Sequence, residues 1–137
     1  MTHKTITEWT GDMGFETELP GGTVIYDADI EVGGKDSGVR PKATMLGALA
    51  GCTGMDVTSL LKKMRAEVDE FRIEVDGDLT DEHPKKYHSV SVRYYFSGAE
   101  LKKDKIEKAV DLSVNKYCGV FEMFRSFADI THEIIYE

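Results

Sequence analysis

The chain is poor in several residue types that would narrow its function at once. It has two cysteines, three prolines and one tryptophan among 137 residues. Two cysteines cannot make a disulfide framework. The N-terminal run Met1-Thr2-His3-Lys4-Thr5-Ile6 has no apolar core of the signal-peptide kind. Together these features fit a cytoplasmic protein in a reducing compartment, where a permanent structural disulfide is not expected. Basic runs are missing too. Seventeen Lys and Arg stand against 25 Asp and Glu, a formal charge of −8, so neither nucleic acid nor an anionic membrane is an expected partner. His3, His83, His88 and His132 are scattered, and no His-x-x-His or Cys-x-x-Cys spacing occurs, so no zinc site is expected. The glycine-rich stretch at 33–38 lacks phosphate-binding spacing, which argues against a nucleotide. Repeats, linkers and low-complexity segments are absent. The length suits one domain with a substantial core, so residues 1–137 are read as a single domain.

What is present reads as α+β. Thr5-Ile6-Thr7-Glu8-Trp9, Gly14-Phe15-Glu16-Thr17-Glu18-Leu19 and Thr23-Val24-Ile25-Tyr26-Asp27-Ala28 are short, alternating and β-branched or aromatic. Gly11-Asp12 and Pro20-Gly21-Gly22 punctuate them, predicting a three-stranded meander. After a glycine-rich loop, Pro41 is placed to open a helix running from about Lys42 to Arg65. That helix would span about 35 Å and is apolar on most sides as far as Val57. Asp56 and the small polar residues within it favour a buried core helix over a membrane span, and it must be wrapped by other structure or a second subunit. Gly47, Gly51 and Gly54 make one flat face that invites close approach of another helix or a ligand beside Cys52. Strands are predicted over Glu70–Leu79 and Tyr87–Phe96, an amphipathic helix over Leu101–Tyr117, a short helix over Val120–Phe127 and a last strand over Asp129–Tyr136. The expected architecture is an antiparallel sheet packed against two substantial helices.

The two cysteines carry the chemistry. Cys52 lies mid-helix in Leu49-Ala50-Gly51-Cys52-Thr53-Gly54, and Cys118 lies where a helical pattern meets Gly119. They are 66 positions apart, a separation that a fold can close. Free cysteines are most often small core hydrophobes. A pair brought together can instead do redox chemistry, one thiolate attacking and the other thiol resolving the oxidised product. Asp56, one turn beyond Cys52, is read as a carboxylate held by a structural hydrogen bond, since its charge disfavours a neighbouring thiolate. Tyr117, Phe121, Phe124 and Phe127 are read as core or interface.

The run from Arg40-Pro41-Lys42 through Gly51-Cys52-Thr53-Gly54-Met55-Asp56-Val57 closely resembles the central helix of the OsmC/Ohr family. Lys116-Tyr117-Cys118-Gly119-Val120 resembles that family's second cysteine motif, and the order of elements matches across nearly the whole chain. The resemblance implies an OsmC-like fold in an intertwined homodimer, with the long helices buried at its centre. It also implies thiol-dependent reduction of organic or lipid hydroperoxides, an antioxidant role in the oxidative stress response. Cys52 would then be the peroxidatic thiol and Cys118 the resolving one, with a dithiol protein as reductant and no metal or organic cofactor.

Peroxidases of that family also carry an arginine from the N-terminal sheet, held by a glutamate at the start of the central helix. Here no arginine precedes Arg40, and Ala43 and Lys42 stand where the glutamate is expected. Arg40 lies about 18 Å from Cys52 along the helix, so it reaches the thiol only through a folded-back loop or from a second subunit. Lys42 of a second subunit is the other candidate cation. Two readings follow. One is a thiol peroxidase; the other is a non-catalytic dimeric relative, ligand-binding or redox-responsive, that keeps both cysteines without the activating pair.

Overall fold

The computed structural model describes all of residues 1–137, which fold as two compact units, Met1–Met45 and Leu46–Glu137. In the first, β1 (Ile6–Gly11), β2 (Gly14–Leu19) and β3 (Gly22–Tyr26) form the predicted antiparallel meander in the order β1-β2-β3. The β1–β2 turn uses left-handed backbone at Gly11 (φ 109°) and Asp12 (φ 50°), which is why glycine and aspartate stand there. The register aligns Trp9 with Phe15 and Phe15 with Tyr26, so the aromatics share one face. Beyond β3 the loop is built around the buried Asp27 carboxylate, which accepts backbone N–H bonds from Ala28, Lys35 and Ser37 at 2.7, 3.2 and 3.1 Å. Those bonds stabilise the charged form and hold Asp27 below the usual carboxylate range.

Helix α1 (Pro41–Lys63) opens on its proline, as the sequence predicted. It ends in a Schellman cap: Arg65 takes the left-handed conformation (φ 56°), and its N–H and that of Ala66 bond back to the carbonyls of Lys62 and Leu61. Two lysines complete that end, Lys105 Nζ donating to the Met64 carbonyl at 2.8 Å and Lys102 Nζ to the Arg65 carbonyl at 3.0 Å. Leu49, Thr53, Val57 and Leu61, four apart, are the helix's buried residues. Met45 and Met55 are exposed on its other faces, and a Cβ added at Gly47 or Gly51 would meet nothing within 4 Å. Within one chain the helix is therefore covered on one side.

Strands β4 (Glu70–Leu79), β5 (Tyr87–Ser97) and β6 (Asp129–Tyr136) form a second sheet in that order. The β4–β5 pair is antiparallel, but β6 departs from the all-antiparallel expectation and runs parallel to β5. Parallel neighbours need a crossover of a dozen or more residues. The chain between Ser97 and Asp129 supplies it as α2 (Lys103–Leu112), a π-helical turn (Ser113–Tyr117) and α3 (Gly119–Arg125). The core is shared by Leu49, Val57 and Leu61 of α1, the inward row Val90, Val92, Tyr94 and Phe96 of β5, and Ile106, Val110, Phe121 and Phe124 from the crossover. Gly77 of β4 lets the strand pass under Tyr87, whose ring atoms lie 2.7 and 2.8 Å from where a Cβ would sit.

Candidate active site

Three elements of the second unit converge on the cysteines. On α1, the core-facing row places Thr53 at 0% exposure, and a hydroxyl buried that completely needs partners. It has two: its Oγ1 lies 2.7 Å from the Tyr94 hydroxyl of β5 and 2.7 Å from Ser113 Oγ at the start of the π-helical turn. Ser113 in turn donates to Asp56 Oδ2 at 3.0 Å. Ser113 has one proton and gives it to Asp56, so the protons run in one direction: Tyr94 donates to Thr53, Thr53 to Ser113 and Ser113 to Asp56. Burial pushes the Tyr94 phenol up to about 12, against the Thr53 bond, so the phenol end of this chain keeps its proton.

The π-helical turn sets the other thiol. The Cys118 N–H bonds to the Ser113 carbonyl at 2.8 Å, a five-residue closure, and leaves Cys118 extended (φ −78°, ψ 102°) before α3 begins. Single π-helical turns of this kind recur at functional sites. Phe121 N–H donates to Cys118 Sγ at 3.3 Å. Cys118 is 4% exposed and Cys52 half-buried. The two sulfurs and a carboxylate oxygen of Asp56 all lie within 4.8 Å of one another. Burial pushes the Cys118 thiol up to about 12; the Phe121 N–H opposes this, while Cys52 and Asp56 add to it.

The fold therefore gathers Cys52, Cys118 and Asp56, as their positions in the sequence allowed, and holds Asp56 by a hydrogen bond as expected. Arg40 is engaged elsewhere: its guanidinium bonds Asp29, Asp36 (2.6 Å) and the Gly38 carbonyl (2.8 Å), and those carboxylates raise its pKa. Lys42 is exposed in the first turn of α1. Thr53, Tyr94 and Ser113 were not singled out in the sequence. The signal for Thr53 was its place in the Leu49, Val57, Leu61 row, where a lone hydroxyl has to be partnered. A pocket of about 170 Å³ lined by Asp56, Ser59, Leu60, Lys63 and Tyr117 opens beside Asp56. A shallow groove of about 440 Å³ runs past Gly51, Gly54, Met55, Phe71 and Ile73.

The pattern that defines OsmC-like proteins matches residues 34–133, a span that takes in every residue of this site. Protein YhfA of Escherichia coli (strain K12) is 32% identical over 97 residues, which cover 71% of this chain and 72% of that protein. A hypothetical protein from Aquifex aeolicus VF5 superposes with a TM-score of 0.82 at 27% identity, covering 100% of this chain and 98% of that one. An organic hydroperoxide resistance protein OsmC from Legionella pneumophila shares the fold, with a TM-score of 0.70 at 13% identity over 98% and 97% of the two chains. Two cysteine motifs, a matching order of elements and a family pattern spanning most of the chain point the same way: this chain belongs to the family of OsmC-like proteins.

Proposed function

We propose that the protein is a thiol-dependent peroxidase for organic hydroperoxides, in which Cys52 attacks and Cys118 resolves. The observation that carries this reading is the placing of two unequal sulfurs within 4.8 Å, one half-exposed and one buried. The Cys52 thiolate attacks a peroxide oxygen, the O–O bond breaks, and the alkoxide leaves to be protonated to the alcohol. The resulting sulfenic acid condenses with the Cys118 thiol, forming the disulfide and releasing water. A disulfide requires the sulfurs to close to about 2.05 Å, and Cys118 stands at the joint between the π-helical turn and α3, where the backbone changes conformation. A dithiol protein then reopens the bond. Cys52 packs against the hydrophobic core, and apolar surroundings of that kind favour an alkyl or lipid tail, which gains about 0.8 kcal/mol per buried methylene.

Membership of the OsmC-like family supports this chemistry and also supports a homodimer, whose second copy would cover the exposed face of α1 at Met45, Gly47, Gly51 and Met55. Arg40 or Lys42 of that second copy is the proposed cation for Cys52. One observation favours the other reading, a redox-responsive or ligand-binding relative without turnover: the Asp56 carboxylate within 4.8 Å of both sulfurs disfavours a thiolate.

The test is an intact-mass time course on reduced protein after one equivalent of cumene hydroperoxide, with Cys52→Ser as control. Rapid loss of two hydrogens, absent in the control, establishes the peroxidase. Unchanged mass, or slow over-oxidation alone, supports the second reading.

A further inference from the structure

The reduced site holds more donor chemistry than a peroxidase needs. Cys52 Sγ, Cys118 Sγ and an Asp56 oxygen, from two separate elements, converge within 4.8 Å. In a tetrahedral site built on zinc–sulfur bonds near 2.3 Å, neighbouring donors stand about 3.7 Å apart, so these three are about one ångström from ligating positions. Asp56 forms no ion pair with any lysine, arginine or histidine of its chain. Three groups that are negative when deprotonated thus face one another with no cation between them. Asp56 is also aimed: Ser113 Oγ donates to its Oδ2 at 3.0 Å, and Ser113 is itself fixed through Thr53 to Tyr94. A hydrogen-bonded partner of this kind is what orients a metal-ligating carboxylate. The pocket lined by Asp56, Ser59, Leu60, Lys63 and Tyr117 opens beside the carboxylate.

We propose that the reduced protein binds one thiophilic divalent cation of the zinc class through Cys52, Cys118 and Asp56, leaving a fourth position for water. Two sulfur donors select zinc or cadmium over magnesium and calcium, which prefer oxygen. Binding displaces the two thiol protons. The metal-bound and disulfide states exclude each other. When a hydroperoxide oxidises the site, the two thiolates give two electrons to the O–O bond, and two protons complete the alcohol and water. The sulfurs then join, and the cation leaves because a disulfide no longer offers anionic ligands. Zinc would therefore protect the pair from oxidation and be released by it.

Cobalt(II) titration of reduced, metal-free protein under anaerobic conditions tests this without any peroxide, so the result stands apart from the peroxidase test. The expected result is a thiolate-to-cobalt charge-transfer band that saturates at one ion per chain and disappears on adding zinc. In competition with a chromophoric chelator, Asp56→Asn should bind zinc about tenfold or more weakly. Ser113→Ala should lose about 10- to 100-fold. The disulfide form should bind none. Absence of the charge-transfer band in the unaltered protein overturns the proposal. So does an Asp56→Asn variant that folds and keeps the original zinc affinity.

Discussion

Thr53→Val is the substitution that most directly tests the hydroxyl chain. Valine keeps the volume of threonine and removes Oγ1, which lies 2.7 Å from both Tyr94 OH and Ser113 Oγ. Ser113 retains its bond to Asp56 and loses only a donor. Tyr94 is 0% exposed, and Thr53 is its hydroxyl's partner, so the phenol O–H is left buried without an acceptor. An orphaned buried group costs about 1–3 kcal/mol and a lost bond about 1, so the variant should unfold about 2–4 kcal/mol more easily. With an unfolding entropy of about 2.1 cal/mol/K per residue over 137 residues, that corresponds to a fall in Tm of about 7–14 °C. Tyr94→Phe alone leaves Thr53 bonded to Ser113 and should cost about 1 kcal/mol. The decisive variant is the double one. Replacing both partners by apolar groups removes the orphan, so Thr53→Val/Tyr94→Phe should be more stable than Thr53→Val by about 1–2 kcal/mol. Urea and thermal unfolding under reducing conditions, at one protein concentration throughout, measure this cycle. If the double variant is less stable than Thr53→Val alone, the hydroxyl chain is not what holds these three residues together.

Two further predictions concern titrating groups. Burial raises the Cys118 thiol to about 12, so the folded protein holds that proton more tightly than the unfolded chain, whose thiol titrates near 9.0. Its contribution to stability is complete below the unfolded value and is lost as pH rises through the folded one. At neutral pH iodoacetamide should therefore label Cys52 and spare Cys118 until the chain is unfolded, as peptide mapping of the alkylated protein reports; prompt labelling of Cys118 would contradict this. His132 packs edge-on against Tyr94 and Phe121, with ring centroids 6.4 and 6.1 Å away. Burial first, then Arg125, lowers its pKa from 6.5, with Asp111 opposing. The unfolded chain takes up that proton first, so His132 stabilises the fold above about pH 6.5 and the benefit fades as pH falls below it. The drop in urea midpoint between about pH 7.5 and about pH 5.5 should be smaller in His132→Gln than in the parent, and an equal drop refutes the assignment.

Much of the architecture was legible because local chemistry decides it. Gly11-Asp12 and the Pro20-Gly21-Gly22 turn mark the meander, and Pro41 opens α1 where a missing N–H costs nothing. The direction of β6 was not legible, because period-2 alternation in Asp129–Tyr136 is the same for either orientation. The usable signal was the length of helical chain between Ser97 and Asp129, which is crossover length rather than hairpin length. The widening after Leu112 was hidden for a similar reason. A helical pattern fits Leu101–Tyr117 as one helix, and only the Cys118-to-Ser113 closure reveals the π-helical turn. At the site, the two cysteines and Asp56 declared themselves by residue type. Ser113 and Tyr94 did not, because a serine on a helix and a tyrosine in a strand are ordinary until they are placed beside Thr53.

The hydroxyl chain gives the site a property that neither cysteine has alone. It ends on Asp56, so the orientation of the carboxylate facing both sulfurs is set by groups inside the core rather than by solvent. With the site empty, that carboxylate adds to the burial that keeps the Cys118 thiol protonated. With a cation bound, the same carboxylate becomes a ligand and the two thiolates are stabilised. Charge at one point therefore selects among dithiol, metal-bound and disulfide states. Asp56→Asn shifts that choice in opposite senses for the two chemistries. Neutralising residue 56 should speed oxidation of the metal-free pair by cumene hydroperoxide, because a carboxylate has gone from beside the two sulfurs, while weakening zinc. If instead both fall together, Asp56 supports the site's shape and its charge does not decide the state.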